Sequence, residues 1–248
     1  MTAPATCQAR DALQHMRALP FAPLDAIAPG TSLILAPHPD DESLGCGGLI
    51  AAACAQGRPP LVVCVSDGAA SHPESVLFPP ERLAAIRQTE LRNACAQLGL
   101  AAAHVHALGL PDTRVPTQGP SFDAAVARIA ALARAQGVTT MFASWQHDPH
   151  ADHAATARLA EAAARAAGTQ LLFYPVWGWL LPDDHPLPAS AIRGARLAIG
   201  AHLAAKRRAI TAHASQYTAM ITDSPNGFRL PPALLSVFDE PYEVFLAP

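Results

Sequence analysis

The 248-residue chain is half apolar and 15% charged, with a formal net charge of −3. That size and composition suit one globular domain with a sizeable core. The absence of a basic surplus argues against nucleic acid or an anionic membrane as partner. The most apolar window, LLFYPVWGWLLP (171–182), is short and broken by two prolines and a glycine, so no membrane span is expected. The first twenty residues lack the basic-then-apolar layout of a secretory signal, and the expected location is cytoplasmic. Cys7, Cys46, Cys54, Cys64 and Cys95 form no CxxC and mostly sit among apolar residues. They read as inert thiols rather than a disulfide framework or a thiolate zinc site.

Along the chain, SLILAP (32–37) reads as a buried strand and GLIAAACAQG (48–57) as a helix ending at Gly57. PLVVCVSDG (60–68) is a second strand. Residues 79–100 form a strong helix, with prolines at its start and glycine near its end. AHVHALGL (103–110) is a third strand. Residues 121–137 form a helix opened by a Ser121 cap and closed at Gly137. VTTMFAS (138–144) is a fourth strand, 152–168 a helix and TQLLFYPVW (169–177) a fifth strand. A proline-rich loop (181–189) leads to a strand at 195–200, a helix at 202–215 and a last strand at 242–247. Such alternation predicts a doubly wound, mainly parallel α/β sheet, Rossmann-like and three-layered. The whole chain, 1–248, reads as a single domain with a core at about 31–177, and 178–248 completing the pocket.

Ligands of open parallel sheets bind beyond the carboxyl ends of the strands. Four polar clusters fall there: His38-Pro39-Asp40-Asp41-Glu42, Ser66-Asp67-Gly68, Leu110-Pro111-Asp112, and SWQHDPHADH at 144–153. The crowding of Asp40, Asp41 and Glu42 is explained if a cation holds it together. His38 and Asp41, three apart, can reach one metal from one turn, and HADH offers His150 and His153 on a shared face. A His, Asp, His set with one open position is the pattern of a catalytic zinc site, in which the ion lowers the pKa of water to roughly 7. Iron, cobalt or manganese would also accept such ligands.

These residues resemble the PIG-L/LmbE-like de-N-acetylases, which remove acetyl groups from N-acetylglucosamine-type sugars. APHPDDE (36–42) is similar to the family's AHPDDE, SDG (66–68) to its TDG, and HADH (150–153) to its HPDH. RQTELRNACAQLG (87–99), LGLPD (108–112) and KRRAITAHASQ (206–216) are similar to further family segments. The resemblance implies a hydrolase in which His38, Asp41 and His153 bind Zn²⁺, or Fe²⁺ or another divalent transition metal. Asp40 is then the general base. His150 stabilises the oxyanion or protonates the leaving amine, Asp152 orients His150, and Arg87 helps hold substrate. The implied partner is a small N-acetylated sugar or glycoconjugate, and a homo-oligomer is compatible with the sequence. Ala36-Pro37 before the histidine and Ala151 in HADH depart from the family pattern without removing a functional atom.

Other residues read more plainly. Glu42 is expected to partner the following turn, Asp67 and Asp112 to brace loops, and His147-Asp148 to lie in a solvated loop or line the pocket. Glu90, three residues from Arg87, can orient it or form a surface pair. His213 reads as a helix C-terminal cap, and Trp177 and Trp179 read as core rather than a sugar platform. Two rival functions stand beside the hydrolase. One is a Mg²⁺-dependent receiver-like domain with Asp67 as phosphoacceptor; the other is a metal-binding family member without turnover. GCGG (45–48) carries only an incomplete nucleotide-binding spacing.

Overall fold

The structure, a computed structural model, describes residues 6–188 and 192–248. It opens with strand β1 (Thr6–Gln8), helix α1 (Ala9–Ala18) and a single turn α2 (Leu24–Ile27). The expected alternation then follows: β2 (Thr31–Ala36), α3 (Asp41–Ala55), β3 (Leu61–Ser66), α4 (Pro80–Gln97), β4 (Val105–Leu110), α5 (Pro120–Ala135), β5 (Val138–Ser144), α6 (Ala151–Ala167) and β6 (Gln170–Tyr174). The last part carries β7 (Pro186–Pro188), β8 (Gly194–Ala198), α7 (Leu203–Ala212), α8 (Ala214–Tyr217), α9 (Pro232–Phe238) and β9 (Tyr242–Leu246). The final residue of the proline-rich loop lies outside the described residues.

The main sheet has seven strands in the order β4-β3-β2-β5-β6-β9-β8. The first five are parallel; β9 runs antiparallel to both β6 and β8. Every side chain of β3, and every one of β2 after Thr31, is buried. Cover on both faces is why these strands read as continuous apolar runs without alternation. Helices α3, α4 and α7 pack together, as do α5 and α6. With right-handed crossovers, reversal of strand order at β2 puts the two groups on opposite faces. The mainly parallel three-layer α/β fold is therefore the expected one. Strand order reverses between β2 and β5, so a crevice opens beyond their carboxyl ends.

Helix α3 starts at Asp41, seven residues before the expected start at 48. Its glycines are contact points rather than a loop. A Cβ at Gly45 would run into the Tyr174 ring, and one at Gly48 into Ile199. Small residues bring α3 close to the sheet, and the GCGG run is a packing surface, not a phosphate loop. Helix α5 also differs at its start. Its N-cap is Gly119 at φ 81° with no side-chain hydrogen bond, so Ser121 is not the cap. Lys206 of α7 and Glu243 of β9 form a buried pair at 2.7 Å, and the Gly48 and Leu49 amides also donate to Glu243. These contacts fasten α7, β9 and α3 together. No helix among the described residues is long and apolar enough to cross a membrane.

Candidate active site

The chain leaving β2 carries His38 and Asp40 into α3, and the chain leaving β5 carries Asp148 and His150 into α6. Both segments meet in the crevice at the reversal of strand order. His38, Asp40, Asp41, Arg87, Asp152 and His153 are all buried. A cavity of about 300 Å³ lies over them. His38, Asp40, Asp41, Arg87, Asp112 and His150 line it, together with Trp177, Gln216, Asn226 and Phe228.

The two histidines are held in matching ways. His153 Nδ1 donates to Asp148 Oδ2 at 2.8 Å, and its Nε2 is buried with no hydrogen-bond partner. His38 Nε2 faces Asp152 Oδ2 at 3.0 Å and Asp112 Oδ1 at 3.2 Å. With those nitrogens tied to carboxylates, the remaining ones face the same atom. His38 Nδ1 and His153 Nε2 each stand 3.3 Å from Asp41 Oδ2. Ligands bound at about 2.0–2.1 Å around a tetrahedral ion lie roughly 3.3–3.4 Å apart, so these separations match an ion's ligand edges. An orphaned imidazole nitrogen, two carboxylate-anchored histidines and a carboxylate between them fit a divalent transition metal. Ligand atoms of His38, His150 and His153 also lie within 4.8 Å of one another, as do those of His38, Asp112 and Asp152. The latter set is the hydrogen-bonded anchor of His38 Nε2.

The electrostatics follow from this crowding. Burial alone would lower both imidazoles. Asp112, Asp152 and Asp41 nevertheless raise His38 well above its usual value, and Asp41 and Asp148 bring His153 up to about 9. Burial likewise opposes the Asp41 charge, but His153 and His38 hold its carboxyl far below the usual range. The surrounding carboxylates thus favour the protonated form of both imidazoles, and an incoming ion must displace protons held there. Apparent metal affinity should therefore rise with pH, by ~10-fold per pH unit for each proton displaced, the His153 share levelling off at about 9. Titration calorimetry in two buffers of different ionisation enthalpy checks this; identical heats would refute it.

Asp40 sits beside this cradle. Burial pushes its carboxyl up to about 7, against the pull of Arg87. Its φ is 144°; among the described residues only Asp40 and Thr113 (φ 64°) combine a side chain with positive φ. Such strain gathers at functional sites. The Thr113 amide donates to Asp152 Oδ2 at 2.7 Å. Arg87 Nη2 donates to Pro39 O at 2.9 Å and Asp40 Oδ2 at 3.3 Å, and its Nη1 to Gly68 O at 2.9 Å. Arg87 thus lines the cavity while its terminal nitrogens brace the site loops. His150 caps α6: its Nδ1 accepts from the Asp152 amide at 3.2 Å, which leaves the proton of a neutral ring on Nε2. Burial, together with His38 and His153, lowers the pKa of His150.

Several expectations change. The Asp152 carboxylate turns to His38 and to the Thr113 and Val115 amides, not to His150; only its backbone N–H reaches that ring. Glu90 binds Ser215 through its amide and hydroxyl rather than pairing with Arg87. Asp67 Oδ1 accepts from the Ala69 and Asp112 amides, a loop brace at odds with a phosphoacceptor role. Trp177 lines the cavity, whereas Trp179 is buried in the core as expected.

Asp112 braces a loop as expected, its Oδ2 accepting from the Ala70 amide at 2.9 Å, but three supports of the site go beyond the sequence reading. Asp148 is a buried anchor that accepts from the Val176, Trp177 and Gly178 amides as well as His153. Asp112 contacts His38, and His213 contacts Glu42 at 2.9 Å. Asp148 lies five residues before a candidate ligand, which was the available signal. For His213, 171 positions from Glu42, only the HASQ segment marked it.

Comparison with known proteins gives the family and the fold. The sequence profile of the PIG-L family, described as GlcNAc-PI de-N-acetylase, matches residues 33–164, just over half of the chain. Among solved structures, the conserved protein TT1542 from Thermus thermophilus is similar at 25% identity and a TM-score of 0.63, covering 88% of this chain and 94% of that one. N,N'-diacetylchitobiose deacetylase from Pyrococcus horikoshii is similar at 21% identity and a TM-score of 0.61, covering 79% and 73%. GalB, the 4-carboxy-2-hydroxymuconate hydratase from Pseudomonas putida, is similar at 20% identity and a TM-score of 0.58, covering 75% and 80%. No curated protein matches the chain.

Proposed function

The chain belongs to the PIG-L family of de-N-acetylases, and from that premise we propose that it hydrolyses the acetamide of an N-acetylglucosamine-type sugar or glycoconjugate. The observation that carries this reading is the convergence of His38 Nδ1 and His153 Nε2 on Asp41 Oδ2, with Asp40 beside them. His38, Asp41 and His153 are the residues that would hold the ion, with zinc as first choice for imidazole and carboxylate donors. When bound, such an ion polarises the amide carbonyl and lowers the pKa of water to about 7.

The protein's own groups supply the rest. Asp40 takes a proton from the water that attacks the carbonyl carbon, and its buried carboxyl is poised for that transfer. His150 presents Nε2–H to the carbonyl oxygen as negative charge develops there. As the C–N bond breaks, the proton held by Asp40 passes to the departing nitrogen, giving acetate and a free amine. Arg87 fixes the Asp40 side chain and the backbone before it. Asp148, Asp112 and Asp152 hold the two imidazoles in one tautomer. Trp177 and Phe228, whose rings meet edge-on at 5.7 Å, offer an aromatic wall to a sugar ring. The five free cysteines support a reducing compartment, and with it a cytoplasmic location.

A hydratase shares the fold, so the test must separate two reactions. Acetate release is measured from N-acetylglucosamine, N,N'-diacetylchitobiose and aryl N-acetylglucosaminides, beside hydration of a 2-hydroxymuconate-type acid, each with and without a chelator. Chelator-sensitive acetate release is expected. Hydration without acetate release would overturn the proposal.

A further inference from the structure

We propose that Glu42 and His213 are positioning residues that hold the Asp40 backbone in the strained conformation from which its carboxylate works. The inference rests on Asp40 being the base. Neither residue lines the cavity, so any effect on chemistry must pass through another group. Glu42 Oε2 accepts from the Asp40 amide at 3.0 Å. Glu42 Oε1 accepts from Ser43 Oγ at 2.6 Å and from His213 Nε2 at 2.9 Å. Both Glu42 and His213 are fully buried.

Asp40 is therefore gripped at three points. Its carbonyl accepts from the Ser43 and Leu44 amides of the first turn of α3. Its carboxylate meets Arg87. Its N–H, which φ 144° turns away from the usual direction, is met by Glu42. Without that acceptor the peptide before Asp40 gains no hydrogen bond from the strained state, and relaxation toward negative φ would swing the side chain. His213 sits between α7 and α8, and it fixes which way the Glu42 carboxylate faces. A plainer role is that the pair only fastens α7 to α3.

Metal content, kcat and KM of Glu42→Ala and Glu42→Gln, alone and in an Asp40→Asn background, separate the two. Activity is read as steady-state acetate release from N,N'-diacetylchitobiose or N-acetylglucosamine. Glu42→Ala should keep its ion and its KM but lose about 10²-fold in kcat, the scale of a misplacement near 1 Å. Glu42→Gln, whose amide oxygen still accepts from the Asp40 N–H, should lose much less. In the Asp40→Asn background Glu42→Ala should cost nothing further, since it acts through Asp40. If Glu42→Ala does not fold, His213→Leu is read the same way. Losses that multiply in the double variant, or a single variant with wild-type kcat, overturn the proposal. Full activity in Asp40→Asn alone would instead overturn the base assignment.

Discussion

Asp40→Asn is expected to keep its divalent ion and its fold while losing deacetylation by ~10²–10⁴-fold, the contribution of a positioned general base. Asparagine matches aspartate in shape and retains an oxygen for Arg87, so the brace at 3.3 Å survives. Neither nitrogen that faces Asp41 touches Asp40, so the cradle is unchanged. The carboxyl is also uneasy as an anion: burial raises it to about 7. Because burial raises the carboxyl to about 7, the fold loses stability as pH climbs from the ordinary carboxylate range to about 7 and carries the ionised group as a constant cost above that, so removing the charge should not lower the thermal midpoint at pH 8. Elemental analysis, acetate release and a melting curve on one preparation check all three statements. A fully active variant with normal metal content would show that the proton goes elsewhere.

His153→Ala is expected to lose both the ion and the activity. The substitution removes a buried donor nitrogen with no other partner and strips Asp148 of its imidazole. Asp148 keeps the amides of Val176, Trp177 and Gly178, so the fold should survive. Breaking a buried charged contact still costs on the order of 3 kcal/mol. His150→Ala provides the contrast. Its nitrogens also approach those of His38 and His153, yet Nδ1 is occupied as a helix cap, so that variant should retain about one ion per chain and lose rate. Elemental analysis decides between the two imidazoles. Stoichiometric metal in His153→Ala, or an empty site in His150→Ala, would reassign the ligands.

The parts of this site that the sequence revealed are those that sit at strand ends. Four of the five parallel strands are buried almost throughout and announce themselves as apolar runs, and the polar residues that follow the five must share one edge. That reasoning found His38, Asp41, His150 and His153 from residues far apart in the chain. It failed where tertiary packing overrides local pattern. The helix start was placed at Gly48 rather than Asp41, because the partners that explain glycine at 45, 47 and 48, namely Tyr174, Lys206 and Ile199, come from later segments. Asp148 looked like any loop aspartate, since only the docked 176–178 backbone gives it three amides. The Asp152 carboxylate was assigned to its near neighbour His150, but helix α6 aims it across the crevice to His38. The N-terminal β1 and α1 and the late α9 carried no pattern that stood out beside the alternating core.

The Glu42–His213 contact has a consequence for the order in which the enzyme is assembled. Everything that would grasp the ion, and everything that steadies those ligands, lies between positions 38 and 178. The last grip on the base arrives only with residue 213. A chain still emerging from the ribosome, or one clipped between positions 178 and 213, therefore has every candidate ligand but lacks this grip on the base. On the proposed roles, holding the ion and positioning the base are completed at different points along the chain.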